Sequence, residues 1–271
     1  MDQLIADQEC ATCGAGVGPG TRYCSRCNTP IGEPAVRPGA RTYRIGTLGL
    51  VTCAAIVAVA VAELGYALWP AIAWWLAATA ATNGDSSLIF VAFIVDAVLA
   101  LVALVLLLTA GVLMIVWTYR ARVNLDAFPG AGASMGRGWA IAGWLVPIAN
   151  FFVPYRVMAN IVRDSLWQFG KPVLVQVWWA AFLSYQILSY LGGQLEDLAF
   201  TELPDPVGRT AFAAYRDVFA DILLVRLMPA LAGVVAAVAI VLIVRRVGLA
   251  QQTRLARTWP GVTAAATQVS S

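Results

Sequence analysis

Four long apolar runs divide this chain, and the polar positions between them set its layout. A membrane-spanning helix needs about 20 mostly apolar residues. Residues 45–69 meet that requirement and end at Pro70. Residues 88–117 meet it again, with Asp96 as the single charged interruption. Residues 173–195 form a third run and residues 227–244 a fourth, closed by Arg245 and Arg246. Trp69 closes the first run, and Trp74 and Trp75 follow before Asn83-Gly84-Asp85. That order predicts an aromatic interface and then a turn.

Residues 139–155 (WAIAGWLVPIANFFVPY) are apolar but short, 17 residues holding Pro147, Asn150 and Pro154. A helix of that length reaches about 25 Å, less than the ~30 Å hydrocarbon core. Pro147 also disfavours helical geometry at Val146. The segment is therefore expected to enter and leave on one side as a re-entrant or broken helix. Broken backbone in a bilayer needs cover, so it is expected to pack among helices, away from lipid. Residues 207–225 place Val207, Ala211, Tyr215, Val218 and Ile222 near helical spacing, beside Phe212 and Phe219. They predict a helix lying on the outer surface, although Asp221 interrupts the face.

Composition supports a lipid solvent. The chain is 60% hydrophobic and 12% charged, whereas soluble domains run at about 45–50% and 25%. Arginine placement then sets the orientation, because basic residues accumulate in short cytoplasmic loops. With residues 139–155 re-entrant, only Arg209, Arg216 and Arg226 of the 18 basic residues fall outside, beside six acids from Glu196 to Asp221. If that segment spanned, Arg156, Arg163, Lys171 and the C-terminal arginines would move outside and much of the bias would vanish. The expected layout is a multi-pass plasma-membrane protein with both termini cytoplasmic. MDQLIADQEC lacks a basic region followed by an apolar core, so the first span is expected to act as an uncleaved anchor.

The sequence contains no His, which excludes Ser/His/Asp and Cys/His catalytic arrangements. Four of the five Cys read Cys10-x2-Cys13-x10-Cys24-x2-Cys27. Each C-x2-C turn presents two thiolates, and two such turns complete a tetrahedral zinc site. Gly14 suits the tight knuckle after the first pair. Two disulfides or a redox-active pair are the alternatives; the first needs an oxidising compartment, which the charge layout denies this end. About 28 residues cannot hold a core alone, so bound metal is expected to supply most of the folding free energy. Residues 29–42 hold three Pro and two Gly and predict a flexible linker. Residues 247–271 are small and polar and predict a disordered tail. Cys53, alone in the first run, is expected to be a packing residue. Arg22 and Arg26 are a thin basis for nucleic-acid contact, so protein contact is the better expectation.

WTYRARVNL at 117–125 and WAIAGWLVPIANFFVPYRVMANIVRDS at 139–165 carry a recognisable pattern. Trp117, Tyr119, Arg120, Asn124, Trp139, Ala140, Trp144, Pro147, Asn150, Pro154 and Tyr155 make it up. The pattern resembles that of a family of uncharacterised membrane proteins, common in actinobacteria and classed as a domain of unknown function. The resemblance covers roughly residues 45–245. It implies a helical membrane domain, often preceded by a zinc ribbon, and it brings no catalytic residue. The acidic 196–221 stretch is longer than the resemblance implies.

The expected fold is thus an all-α membrane protein of four transmembrane helices plus one re-entrant or broken segment, with a small N-terminal zinc ribbon. Glu63 and Asp96 are the acids inside apolar runs, and Asn150 lies in the broken segment; together they form a candidate intramembrane polar site. Counted from Arg44 and Arg120, both acids sit about 28–36 Å along their helices, toward the outer interface. Wet outward-facing carboxylates are the plain alternative. Arg120, Arg122, Arg156 and Arg163 are candidate anionic-lipid contacts, and ordinary topology determinants explain them equally well. The expected function is non-enzymatic: a scaffold or sensor whose ribbon docks a protein partner or self-associates. A small ion or solute transporter is the alternative. A lipid-acting enzyme lacks a visible nucleophile–base pair.

Overall fold

The computed structural model describes residues 8–27, 29–167 and 172–257. Within them, a two-stranded antiparallel ribbon, β1 (Gln8–Glu9) with β2 (Gly16–Val17), precedes six α-helices. These are α1 (Gly46–Asn83), α2 (Ser87–Ala127), α3 (Trp139–Leu145), α4 (Val153–Leu166), α5 (Val173–Thr201) and α6 (Arg209–Ala256), with a 3-10 turn at Ala149–Phe151. Helices α1, α2, α5 and α6 are each long and apolar enough to cross a membrane.

The spanning helices are longer than the apolar runs predicted. At 1.5 Å per residue they reach roughly 44 to 72 Å, beyond a ~30 Å core. Their exposed large apolar side chains mark narrower bands: Leu50 to Trp75 on α1, Phe90 to Val112 on α2, Val173 to Leu198 on α5 and Leu224 to Leu249 on α6. Pro70 does not end the first helix, and Pro229 does not split the last. A helical proline removes one amide donor and clashes with one carbonyl, but the helix resumes where packing favours it. After Pro70 the sequence is rich in Ala, the strongest helix former, and its Ala73, Ala77 and Ala80 are buried. Helix α2 likewise continues past Trp117, where its apolar run ends, to Ala127, so the first half of the basic, Gly-rich stretch 119–138, expected to be a loop, is helical.

The chain forms two compact units. One comprises residues 53–112 and 176–241. An apolar core within it joins Ala73, Ala77 and Ala80 of α1 to Ile89 and Ala92 of α2 and to Phe212, Tyr215 and Phe219 of α6. Trp69 Nε1 donates to the Ala92 carbonyl at 3.2 Å, fixing α1 against α2. Residues 207–225 were expected to lie on the surface as a separate helix. From Arg209 they are instead the start of α6, and their aromatic face is the one buried in this core.

The other unit comprises residues 1–52, 113–175 and 242–271, of which the described portion holds the ribbon, α3, α4, the start of α1 and the C-terminal ends of α2 and α6. Residues 247–256, expected to be disordered, are the last turns of α6; residues 258–271 lie outside the described residues. The expected flexible linker is tied down. The Arg37 amide donates to the Ala127 carbonyl at 2.8 Å. Asn124, fully buried, accepts from the Tyr43 amide at 2.7 Å and donates to the Tyr43 carbonyl at 3.0 Å. Its Nδ2 also reaches Gln251 Oε1 at 2.8 Å, and Gln251 Nε2 donates to Ser165 Oγ at 2.9 Å. One satisfied polar network thus joins the linker, α2, α4 and α6, and such networks hold a single packing arrangement.

The 139–155 segment is broken, as expected, into α3, the 3-10 turn and the start of α4. Helices α3 and α4 meet closely at Gly143, where a Cβ would stand 2.5 Å from Val153 Cγ1. The expectation that it packs away from lipid fails at its tip: Leu145, Ile148 and Phe152 are 72%, 79% and 61% exposed. Pro147 stops α3 and turns these side chains out of the hairpin contact. Helix α4 then runs through Leu166, burying Val157, Met158 and Ile161, and ends at Trp167 in the left-handed region with φ 56°.

Candidate metal centre and intramembrane polar cluster

The ribbon brings its four cysteines together. The β1–β2 pairing closes the first knuckle, where the Cys10 amide donates to the Ala15 carbonyl at 2.8 Å and the Gly14 amide to the Cys10 carbonyl at 2.7 Å. The second knuckle is closed by the Cys24 amide on the Thr29 carbonyl, 2.9 Å, and the Ile31 amide on the Arg22 carbonyl, 2.9 Å. Cys10 and Cys27 Sγ stand 3.6 Å apart and Cys13 and Cys24 Sγ 3.5 Å, and the whole set lies within 4.8 Å. Sulfurs placed tetrahedrally at about 2.3 Å from one ion would stand about 3.8 Å apart. A disulfide needs about 2.05 Å, and all five cysteines are free thiols. The donor set therefore fits one thiophilic metal ion.

The thiols differ in environment. Burial pushes Cys13 up to about 12 and also raises Cys27. Burial pushes Cys24 up as well, but hydrogen bonds from the Cys27 and Arg26 amides and from the Cys13 and Cys27 side chains together bring that thiol down to about 7. Donor hydrogen bonds to sulfur stabilise the thiolate that a metal requires.

The ribbon is seated on the end of α6. Arg254, 3% exposed, donates from Nε to the Ala35 carbonyl at 2.8 Å and from Nη2 to the Pro129 carbonyl at 2.9 Å and to Thr12 Oγ1 at 3.4 Å. Its guanidinium stacks 4.2 Å from the Phe128 ring centroid and 4.9 Å from Trp167, and Trp167 packs against the cysteine core. Arg257 Nη1 donates to the Thr12 carbonyl at 2.8 Å. Arg254 Nη1 is buried with no hydrogen-bond partner, and the charge of Arg254 acts on Cys27, Cys10 and Cys13. Gly14 is favoured by its φ of +71°, and a Cβ there would also stand 2.5 Å from Arg257 Nη2, so the end of that side chain would have to move.

The acids of the apolar runs belong to the other unit. Arg226 of α6 donates to both oxygens of Asp96 and, at 2.9 and 2.8 Å, to both oxygens of Glu196. The guanidinium lies 4.1 Å over the Tyr66 ring. Tyr185 Oη donates to Glu63 Oε1 at 3.0 Å, and Gly233 allows α6 to approach the Tyr185 ring, where a Cβ would stand 3.3 Å away. Asp96 is thus an ion-pair partner, not a wet outward carboxylate. Asn150 is not among these partners; it belongs to the other unit, where its Oδ1 is buried without a hydrogen bond.

The four candidate lipid arginines separate. Arg122 is buried, bonded to Asp126 Oδ1 at 2.7 Å and to the Met135 carbonyl, and has no face for lipid. Arg163 is held by Asp164 at 2.9 Å and the Gly132 carbonyl at 3.1 Å. Arg120 stacks 5.4 Å from the Tyr43 ring centroid. Arg156 is exposed. Sequence reasoning missed Arg226, Glu196, Tyr185 and Arg254. A signal existed for Arg226, an arginine enclosed by DILLV and LMPAL, which counting it as a loop residue concealed.

Residues 80–248 match the family described as a domain of unknown function, DUF4328. The chain belongs to this family. The match leaves out the ribbon, most of α1 and the arginines that seat the ribbon, and it includes Asp96, Glu196 and Arg226. No curated protein and no solved structure matches the chain.

Proposed function

We propose that this DUF4328 protein is a non-enzymatic scaffold or sensor of the plasma membrane, with both termini cytoplasmic and a structural zinc ion on Cys10, Cys13, Cys24 and Cys27. The seating of the first knuckle on α6 through Thr12, Arg254 and Arg257 carries the proposal. A zinc tetrathiolate bears a net charge of about −2, and two guanidinium groups border it. The metal then fixes the position of the ribbon against a membrane helix, so metal occupancy is coupled to the inner end of α6. The second knuckle, with Arg22, Tyr23 and Arg26 exposed, is left open to a protein partner. Tyr and Arg are the residue types that most often anchor such contacts.

The test uses the full chain in nanodiscs. One zinc per chain by elemental analysis and chelator-induced loss of hydrogen-exchange protection at residues 250–257 are expected. Full zinc content with unchanged exchange on chelation would overturn the coupling. Impermeant thiol labels reaching an exposed cysteine introduced at Thr21 in intact cells would overturn the orientation.

A second reading has one observation in its favour. Asp96 and Glu196 share Arg226 while Glu63 is held by the Tyr185 hydroxyl, so three acids stand with a single paired arginine inside the apolar bands. Intramembrane acids of this kind mark proton or cation paths. Flux of protons or sodium in proteoliposomes, lost in Glu63→Gln, would favour that reading; identical flux in wild type and variant would end it.

A further inference from the structure

The tip of the α3–α4 hairpin presents Leu145, Val146, Ile148 and Phe152 at 45% to 79% exposure. Isolated exposed apolar residues need no explanation, but four within the eight residues of one hairpin tip form a patch. Three features identify what covers it. The backbone at the tip is largely satisfied within the hairpin: Val146 donates to the Ala142 carbonyl at 3.0 Å, Asn150 to Val146 at 2.8 Å, Phe152 to Ala149 at 3.0 Å and Arg156 to Phe152 at 3.2 Å. Pro147 and Pro154 bring no N–H at all. Such a turn tolerates hydrocarbon, where an unbonded amide costs several kcal/mol.

Charge placement agrees. Arg156, one turn beyond Phe152, is exposed and has no acidic partner among the described residues. Trp139, at the base of α3, is 43% exposed. An apolar tip backed by arginine and tryptophan has the composition of an interfacial anchor. Four side chains are also far short of the ~800 Å² per partner that a stable protein interface buries, which argues against a second copy as the cover.

We propose that the α3–α4 hairpin is a lipid wedge: its tip inserts among the acyl chains of one leaflet, and Arg156 binds the phosphate of an anionic headgroup. This is independent of the ribbon and its metal. It differs from a buried re-entrant helix in placing lipid, not protein, against Ile148.

Nitroxide labelling of Ile148→Cys in a Cys53→Ser background, with the ribbon metal-loaded, tests it in phosphatidylcholine/phosphatidylglycerol vesicles. Oxygen collisions at the label should exceed those of aqueous chromium oxalate several-fold more than at a Thr21→Cys label. Arg156→Gln should reduce that excess in vesicles containing phosphatidylglycerol and leave it unchanged in phosphatidylcholine alone. Equal accessibility at the two labels, or dipolar broadening from a second copy, would overturn insertion. An Arg156→Gln effect independent of lipid charge would overturn the headgroup contact. Photoactivatable acyl chains should cross-link the unaltered protein within residues 138–156, and absence of adducts there counts equally against the wedge.

Discussion

Arg254 donates a hydrogen bond to Thr12, a residue 242 positions earlier that lies inside the first cysteine knuckle. The same guanidinium holds the Ala35 and Pro129 carbonyls. Linker, α2–α3 loop, ribbon and α6 therefore share one buried cation.

Arg254→Ala removes every one of those bonds and leaves buried carbonyls unpaired. Losing charged hydrogen bonds in a buried setting costs on the order of 2–4 kcal/mol. Faster hydrogen exchange is expected in residues 8–40 and at the end of α6, with α5 unaffected. Unchanged exchange in the ribbon would show that the seat contributes little.

Metal removal should act locally. Structural zinc contributes about 10–16 kcal/mol of apparent binding free energy to a small module. Chelation is expected to unfold residues 8–31 while circular dichroism keeps the signal of the long helices. A cooperative collapse of helical signal on chelation would contradict this.

Gly14→Ala places a Cβ on a residue at φ +71° and against Arg257. Left-handed backbone costs a non-glycine residue roughly 1–2 kcal/mol. Weaker metal retention in competition with a chromophoric chelator is expected. Gly18→Ala, with open space around its Cβ, serves as the control and should retain metal like the wild type.

Arg226 separates stability from transport. Arg226→Leu strands Asp96 and Glu196, and breaking a buried ion pair costs about 3–5 kcal/mol. Replacing all three with Leu should recover most of the loss in thermal unfolding in detergent, because well-packed apolar side chains often match a buried ion cluster. A triple variant as unstable as the single one would point to a packing role for the guanidinium over Tyr66 instead.

The spans and the cysteine set were legible because each is written locally: lipid selects runs of apolar residues, and a metal selects close C-x2-C pairs. What was not legible depends on distance along the chain. Pro70 reads as a stop until Ala73, Ala77 and Ala80 find Phe212 and Phe219. Residues 29–42 read as a tether because Arg37 and Tyr43 meet their partners, Ala127 and Asn124, far downstream. Arg254 carries no local sign of its role, since a basic residue near a helix end is what the expected topology alone would place there. Asp96 seemed solvated because the depth of an acid on one helix says nothing about an arginine on another.

The seat of the ribbon also imposes an order on biogenesis. Cys10 to Ile31 are synthesised before α1, whereas Arg254 and Arg257 stand at the end of the last long helix. The cysteine ribbon therefore cannot reach its seat until the far end of α6 has been made.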